Sequence, residues 1–289
     1  MCSSDLYGGV AGDATVTKVG DSEFWIFSSG IAERYQKRFF NSVELPPETT
    51  FKSKTVDMCG FNIAGPKSRE MLQRLSNQDL SNNNWPFMHS GQLSIAGVEC
   101  LALRISFSGD LGWEIYCDAE YQEIIYKTLI KASIIENGGP VGSRALMSLR
   151  IEKGYGSWSR EYSPEVWPHE SGLEKLCKLD KDFLNKRALV ENLKNEPRER
   201  LVLIKLDEQD CKKSNADATG GEPIFYSGKG IGRITSGAYG YNVGMSLALG
   251  YVKDVSAGDT VDVMILGEPH KGKILKAPPF DPEGKILRG

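Results

Sequence analysis

The sequence predicts an α+β fold that ends in a small antiparallel β-barrel, and three observations carry that expectation. Strand-like and helix-like patterns alternate irregularly through the first part of the chain, without the steady rhythm of a doubly wound sheet. A polar, charged run, 191-ENLKNEPRER-200, then interrupts the pattern and reads as a helix end and linker. Beyond it, short apolar runs alternate with glycine turn signals, as in a barrel. The boundaries drawn from this are 1–197 for the first domain and 198–289 for the barrel.

Taken in order, residues 14–29 predict two strands about a Gly20-Asp21 turn, with Phe24-Trp25-Ile26-Phe27 as a buried run. Residues 31–40 predict an amphipathic helix carried by Ile31, Tyr35 and Phe39. Residues 55–75 predict a strand, a Gly65-Pro66 break and a helix whose apolar stripe is Met71, Leu72 and Leu75. Pro66 suits a first helical turn, where its missing N–H costs no hydrogen bond. Residues 91–108 predict two strands about Ala96-Gly97, and residues 119–133 a helix with Tyr121, Ile124, Ile125 and Leu129 on one side. A further helix covers 142–154. Barrel strands are expected at 201–206, 223–227, 230–238, 246–252, 260–266 and 271–277.

The 289 residues are 40% hydrophobic and 25% charged, an ordinary composition for a chain that buries a core. A net charge of -3 argues against a nucleic-acid partner held by bulk charge. No window approaches the roughly 18 apolar residues of a membrane span, and MCSSDLYGGV lacks the basic-then-apolar pattern of a secretory signal. A cytoplasmic location is expected, or the mitochondrial matrix in a eukaryote. Six cysteines without a CxxC fit reduced thiols, and three scattered histidines give no metal-ligand spacing, so no metal is expected.

The stretch 105-ISFSGDLGWEIY-116 carries the most pointed signal. Gly109 and Gly112 shape a turn. With Trp113 and Ile115 facing a core, Glu114 and Tyr116 face the other way. A carboxylate there accepts two parallel N–H donors from a flat heterocycle; a solvent-facing glutamate on a hairpin is the plainer alternative. In 8-GGVAGDATVT-17, the glycines predict a flexible loop and Asp13 stands at the entrance to a strand. There it serves as a base or as a partner for developing positive charge, or simply as a turn residue. Arg144, in the first turn of its helix, does not complement the helix dipole, which points to a partner elsewhere or to an ordinary surface ion pair. The aromatic-rich loop 154-GYGSWSREYSPEVW-167 is a pocket wall or plain loop packing. Gly228-Lys229-Gly230-Ile231-Gly232 precedes a strand and opens no helix, so a dinucleotide-binding reading fails.

In combination, the stretches GGVAGDATVTKVG, NIAGPKSREMLQRL, ISFSGDLGWEIY, SRALMSLRIEKGYGSW, DFLNKRAL, 220–252 and PPFDPEGKILRG resemble the folate-dependent aminomethyltransferase family, the glycine-cleavage T-proteins. They cover nearly the whole chain. EKGY.SW, TSGAYGY and the FDP…LRG ending are most similar to the branch forming the C-terminal half of dimethylglycine and sarcosine dehydrogenases or oxidases. The resemblance implies a T-protein-like folate-binding domain before the barrel, and tetrahydrofolate as cofactor. It implies one-carbon transfer from a methylated-amine-derived adduct to give 5,10-methylenetetrahydrofolate. By the same resemblance Asp13 is the catalytic carboxylate, Glu114 grips the pterin, Phe107 stands where the family usually has Tyr, Arg144 lies near the folate, and Thr15 is a supporting contact. The T-protein form usually has two adjacent acids at Asp13; here Gly12 takes the first place.

The family normally has ~80 or more residues before the GG turn, which here stands at Gly8-Gly9. The expectation is a chain missing its opening strands, with any FAD site confined to a missing N-terminal domain, and with a sheet edge and apolar surface left exposed. Other readings are a stand-alone aminomethyltransferase or folate-dependent demethylase, and a non-catalytic regulatory relative.

Overall fold

The computed structural model describes residues 2–4 and 7–289. Met1, Asp5 and Leu6 lie outside the described residues. The chain forms two compact units, each assembled from separate stretches. The first takes residues 1–16, 25–44 and 154–279; the second takes 17–24, 45–153 and 280–289. The expected domain cut after residue 197 falls within the first unit, just ahead of the first barrel strand.

The opening sheet consists of β1 (Cys2–Ser4), β2 (Val10–Lys18) and β3 (Phe24–Ser28), in the order β1-β2-β3; it belongs to the first unit apart from Thr17 and Lys18 of β2 and Phe24 of β3. Because β3 is an edge strand, its apolar run is only half covered. Trp25 and Phe27 are half-buried, while Phe24 and Ile26 are exposed, against the expected buried run. Helix α1 (Glu33–Ser42) follows where the periodicity predicts it, yet buries none of its residues fully.

The second unit contains β4 (Met58–Ala64), α2 (Ser68–Gln73), β5 (Ser90–Ile95), β6 (Val98–Leu103), β7 (Gly112–Asp118), α3 (Gln122–Ile135) and α4 (Ser143–Glu152). Its antiparallel sheet has the order β4-β7-β6-β5. Ile63, Leu93, Ile95, Cys100, Ala102, Trp113, Ile115 and Cys117 form one apolar face, packed with Met71 and Leu72 of α2 and Ile125 and Leu129 of α3. Met71 and Leu72 of the predicted stripe are buried on α2, while Leu75 lies past the helix end, half-buried against the same core. On α3 the inward side is Ile125, Leu129 and Ala132, whereas Tyr121 and Ile124 are exposed. Tyr121 sits in the 3-10 turn before the helix, where the register of a 3.6-residue repeat has not begun.

Returning to the first unit, α5 (Lys186–Asn192) precedes β8 (Arg200–Leu206), α6 (Glu208–Ser214), β9 (Pro223–Tyr226), β10 (Lys229–Gly240), β11 (Met245–Val252), β12 (Thr260–Ile265) and β13 (Glu268–Ile274). These strands close the predicted barrel, in the order β10-β11-β8-β13-β12-β9. Alternate residues, among them Ile204, Ile224, Ile234, Val261, Val263 and Ile274, fill its interior. β13 starts three residues earlier than its apolar run, since Glu268 already pairs with Ile265 across a tight turn. The polar α6 lacks the apolar periodicity that would announce it; Asp207 caps it by accepting from the N–H groups of Gln209 and Asp210. The last helix, α7 (Lys285–Arg288), belongs to the second unit.

Candidate functional site

In the second unit, β7 delivers Glu114 as the alternation predicts. Trp113 and Ile115 are fully buried in the core, and Glu114 and Tyr116 lie on the opposite face. Asn62 of β4 and Leu103 of β6 stand directly opposite Glu114, so the carboxylate sits in the middle of the sheet rather than at an edge. The Tyr116 hydroxyl donates to Glu114 Oε2 at 2.6 Å. No other hydrogen bond to Glu114 is found among the described residues, which leaves Oε1 to accept from a ligand. Burial raises the Glu114 carboxyl above the usual range, and the Tyr116 hydrogen bond only partly offsets it. The Tyr116 phenol is raised too, by burial and then by Glu114.

The turn before β7 is fixed from inside the same unit. Ser68 Oγ donates to the carbonyls of Gly65 and Leu111, tying the start of α2 to the turn. Phe107 is half-buried in this segment and Arg144 is exposed near the start of α4. Asp110, also in the turn, is raised by burial and by the nearby carboxylates of Glu152 and Asp281. A cavity of about 500 Å³ opens between the edge of β4, the starts of α2 and α4, and the C-terminal end of α3, lined by Phe61, Lys67, Asp110, Tyr126, Ile130 and Leu146 among others. Glu114 does not line it.

In the first unit, Asp13 is the fourth residue of β2, which begins at Val10; the expected position at a strand entrance is corrected. Gly8 and Gly9 are not a flexible loop either. A Cβ on Gly9 would lie 2.1 Å from the Pro164 carbonyl oxygen, and one on Gly8 2.9 Å from that of Ala188. Val10 N–H donates to Val166 O, and Asn192 Nδ2 to Tyr7 O. The glycines are there for close approach, and the turn is clamped. Asp13 and Thr15 are half-buried and share one face of β2 by the period of two. Burial raises the Asp13 carboxyl, partly offset by a hydrogen bond from its own backbone N–H.

The structure thus brings Glu114 together with Tyr116 in one unit and sets Asp13 beside Thr15 in the other. Tyr116 is an addition to the site residues expected from sequence, and Asn62 stands opposite Glu114 in the strand register. Tyr116 was legible as the residue two after Glu114 on the same face; Asn62 depended on a strand register that no local pattern encodes. A half-buried carboxylate braced on one oxygen is a group that can accept hydrogen bonds from neighbouring N–H donors. Among the described residues no group of three or more His, Cys, Asp or Glu could hold a metal ion, and no helix is long and apolar enough to cross a membrane.

Comparison with known proteins gives a consistent picture. Residues 1–181 match the GCVT N-terminal domain, and residues 199–281 match the glycine cleavage T-protein C-terminal barrel domain. The chain is 32% identical over 277 residues to the mitochondrial dimethylglycine dehydrogenase of Homo sapiens, covering 94% of this chain and 31% of that protein. It is 29% identical over 279 residues to an aminomethyltransferase of Desulfitobacterium hafniense, covering 95% of this chain and 73% of that one. The chain therefore spans about a third of the length of the dehydrogenases it matches. In fold it matches glycine cleavage system aminomethyltransferase T from Bartonella henselae, with a TM-score of 0.79 at 20% identity over 97% of this chain and 75% of that one.

Proposed function

The chain belongs to the glycine cleavage T-protein family, and from that premise we propose that it carries out tetrahydrofolate-dependent one-carbon transfer, as the folate module of a dimethylglycine- or sarcosine-type demethylating enzyme. The observation that carries this is the half-buried Glu114, held by Tyr116 at 2.6 Å with its second oxygen left to accept. Bound tetrahydrofolate supplies the amines that take up the one-carbon unit to give 5,10-methylenetetrahydrofolate.

Each residue then has a role. Glu114 accepts the ring N–H groups and sets the pterin's orientation. Phe107 offers an aromatic face without the hydroxyl of the usual Tyr. Arg144 lies toward the folate's anionic end, where a guanidinium pairs with carboxylate. Asp13 holds or takes a proton, or stabilises positive charge on the one-carbon adduct; burial raises its carboxyl above the usual range, which favours the proton-holding form. Thr15 supports Asp13 from the same face of β2. Residues 1–197 serve as the folate-binding part and 198–289 as the barrel. A cytoplasmic or mitochondrial-matrix location goes with this reading, and FAD belongs to the dehydrogenase portion that this chain does not match.

Calorimetric titration with tetrahydrofolate, followed by a turnover assay with formaldehyde-equivalent amine adducts, tests the assignment. Glu114→Ala should weaken folate binding well beyond Phe107→Ala; equal, small effects sink it. Asp13→Asn should abolish turnover and leave binding largely intact; persisting turnover removes Asp13 from the chemistry. A stand-alone aminomethyltransferase is the second reading, favoured by coverage of 73% of the Desulfitobacterium protein. Transfer from aminomethyl donors, with none from oxidised methylamines, would select it.

A further inference from the structure

The antiparallel register of β4 and β7 sets Cys59 directly opposite Cys117, and their sulfurs are 3.3 Å apart. We propose that this pair is an oxidation site, closing to a disulfide across the two strands that carry Gly60, Asn62, Glu114 and Tyr116. Facing residues in an antiparallel ladder have Cα atoms about 4.5–5.5 Å apart, inside the 4.4–6.8 Å range that a disulfide spans without moving the backbone. Both cysteines are free thiols here.

Exposure sets the order of events. Cys59 is half-buried, whereas Cys117 and Cys100 are buried. Burial, then the neighbouring Cys59, pushes the Cys117 thiol up to about 12; burial pushes Cys100, which reaches the Cys117 thiol from β6, up to about 11. The first attack therefore belongs to Cys59. With hydrogen peroxide as oxidant, the Cys59 sulfur displaces hydroxide from the O–O bond to give a sulfenic acid, and the hydroxide leaves as water with the Cys59 proton. The Cys117 sulfur then attacks the sulfenic sulfur. The S–S bond forms, the S–O bond breaks, and a second water departs with the Cys117 proton. Two thiols are oxidised and one peroxide is reduced to two waters.

The bridge has a consequence for the site on the far face. Tyr116 precedes Cys117, and Gly60 follows Cys59. A Cβ on Gly60 would lie 2.7 Å from the Tyr116 ring, so the strands are already tight there. Drawing the sulfurs in to about 2.0 Å shifts the Tyr116 ring and with it the hold on Glu114. This part rests on the folate reading.

The experiment treats the full chain with hydrogen peroxide, alkylates remaining thiols, digests without reductant and maps the peptides by mass spectrometry. A Cys59–Cys117 cross-linked peptide, two hydrogens lighter than its reduced parts, is expected. With it come an upward shift in Tm of several degrees and full reversal by dithiothreitol. No such peptide, or a link from Cys117 to Cys100 instead, overturns the proposal. Titration of both forms with tetrahydrofolate reads the consequence: several-fold weaker binding when oxidised supports it, and equal binding overturns the coupling. If neither form binds, the folate reading fails while the cross-link stands or falls on its own map.

Discussion

At the scale of single residues, Glu114 is a group whose stability cost and usefulness share one cause. Taking a carboxylate out of water disfavours its charged form, and the raised Glu114 carboxyl reports that burden. A folded-state pKa above the unfolded value near 4.3 means that the folded protein holds the proton more tightly. The group's contribution is fully favourable below the unfolded value and is lost as pH rises through the folded one. Glu114→Gln, which keeps an oxygen for Tyr116, should therefore melt higher than the parent at pH 7, and the gap should close as the pH is lowered to 4. Melting curves across that range check it, and the same variant should bind tetrahydrofolate more weakly. Tyr116→Phe acts in the opposite direction. It removes the hydroxyl 2.6 Å from Glu114 Oε2, and loss of a hydrogen bond to a charged group costs about 1.5–3 kcal/mol. Urea unfolding at pH 7 should show that loss, and a Glu114→Gln/Tyr116→Phe double variant should show less than the sum.

At the scale of elements, structure is legible in the sequence where one segment's own pattern decides the outcome. The α2 stripe, the Ala96-Gly97 hairpin and the face alternation of β7 are all of this kind. The remaining features are decided by contacts that a segment's own apolar pattern does not carry. The faces of β3 and α1 depend on what packs against them, α6 is a polar helix held by its Asp207 cap, and the clamped Gly8-Gly9 turn depends on Pro164, some 150 residues on. The aromatic-rich loop shows the same lesson. Its anchor is not an aromatic but Glu161, 1% exposed. That carboxylate accepts from Ser157 N at 2.9 Å, Ser157 Oγ at 3.3 Å and Thr235 Oγ1 at 2.7 Å, and from Ser236 Oγ, while Tyr251 donates to its backbone carbonyl. The loop is thereby stitched to β10 and β11 of the barrel. Each buried donor left without a partner costs about 1–3 kcal/mol. Glu161→Ala should accordingly lower stability by about 3 kcal/mol or more, and Glu161→Gln, which keeps one acceptor, by less. Thermal denaturation of the two variants gives the ranking, and equal melting points would remove Glu161 as the anchor.

At the scale of the whole molecule, the chain order hides how the units are assembled. The pattern break near residue 197 marks where the barrel strands begin, but the last ten residues leave the barrel's unit and complete the other one. No local composition announces such a return, because the contacts that fix it are made with residues far away in sequence. Lys153 Nζ meets Asp281 Oδ2 at 2.8 Å, with side chains 6% and 4% exposed. Asp281 also accepts from Leu287 N–H, and Arg104, fully buried, donates to Leu287 O. For Asp281, burial pulls the carboxyl up, but the hydrogen bonds from Lys153 and the Leu287 and Ile286 N–H groups outweigh it and bring it down to about 2. A depressed carboxyl contributes stability that is complete above the unfolded value near 3.9 and fades as pH falls through the folded value. Acid should therefore loosen the second unit between about pH 4 and pH 2. Asp281→Asn removes that acid dependence and leaves the Lys153 ammonium buried without its partner, a change that costs about 3–5 kcal/mol. If the two units unfold separately, the variant at pH 7 should show an early calorimetric transition from the second unit and an unshifted one from the barrel unit. A single transition displaced as a whole would mean that both units unfold together, with the tail holding more than the unit it completes.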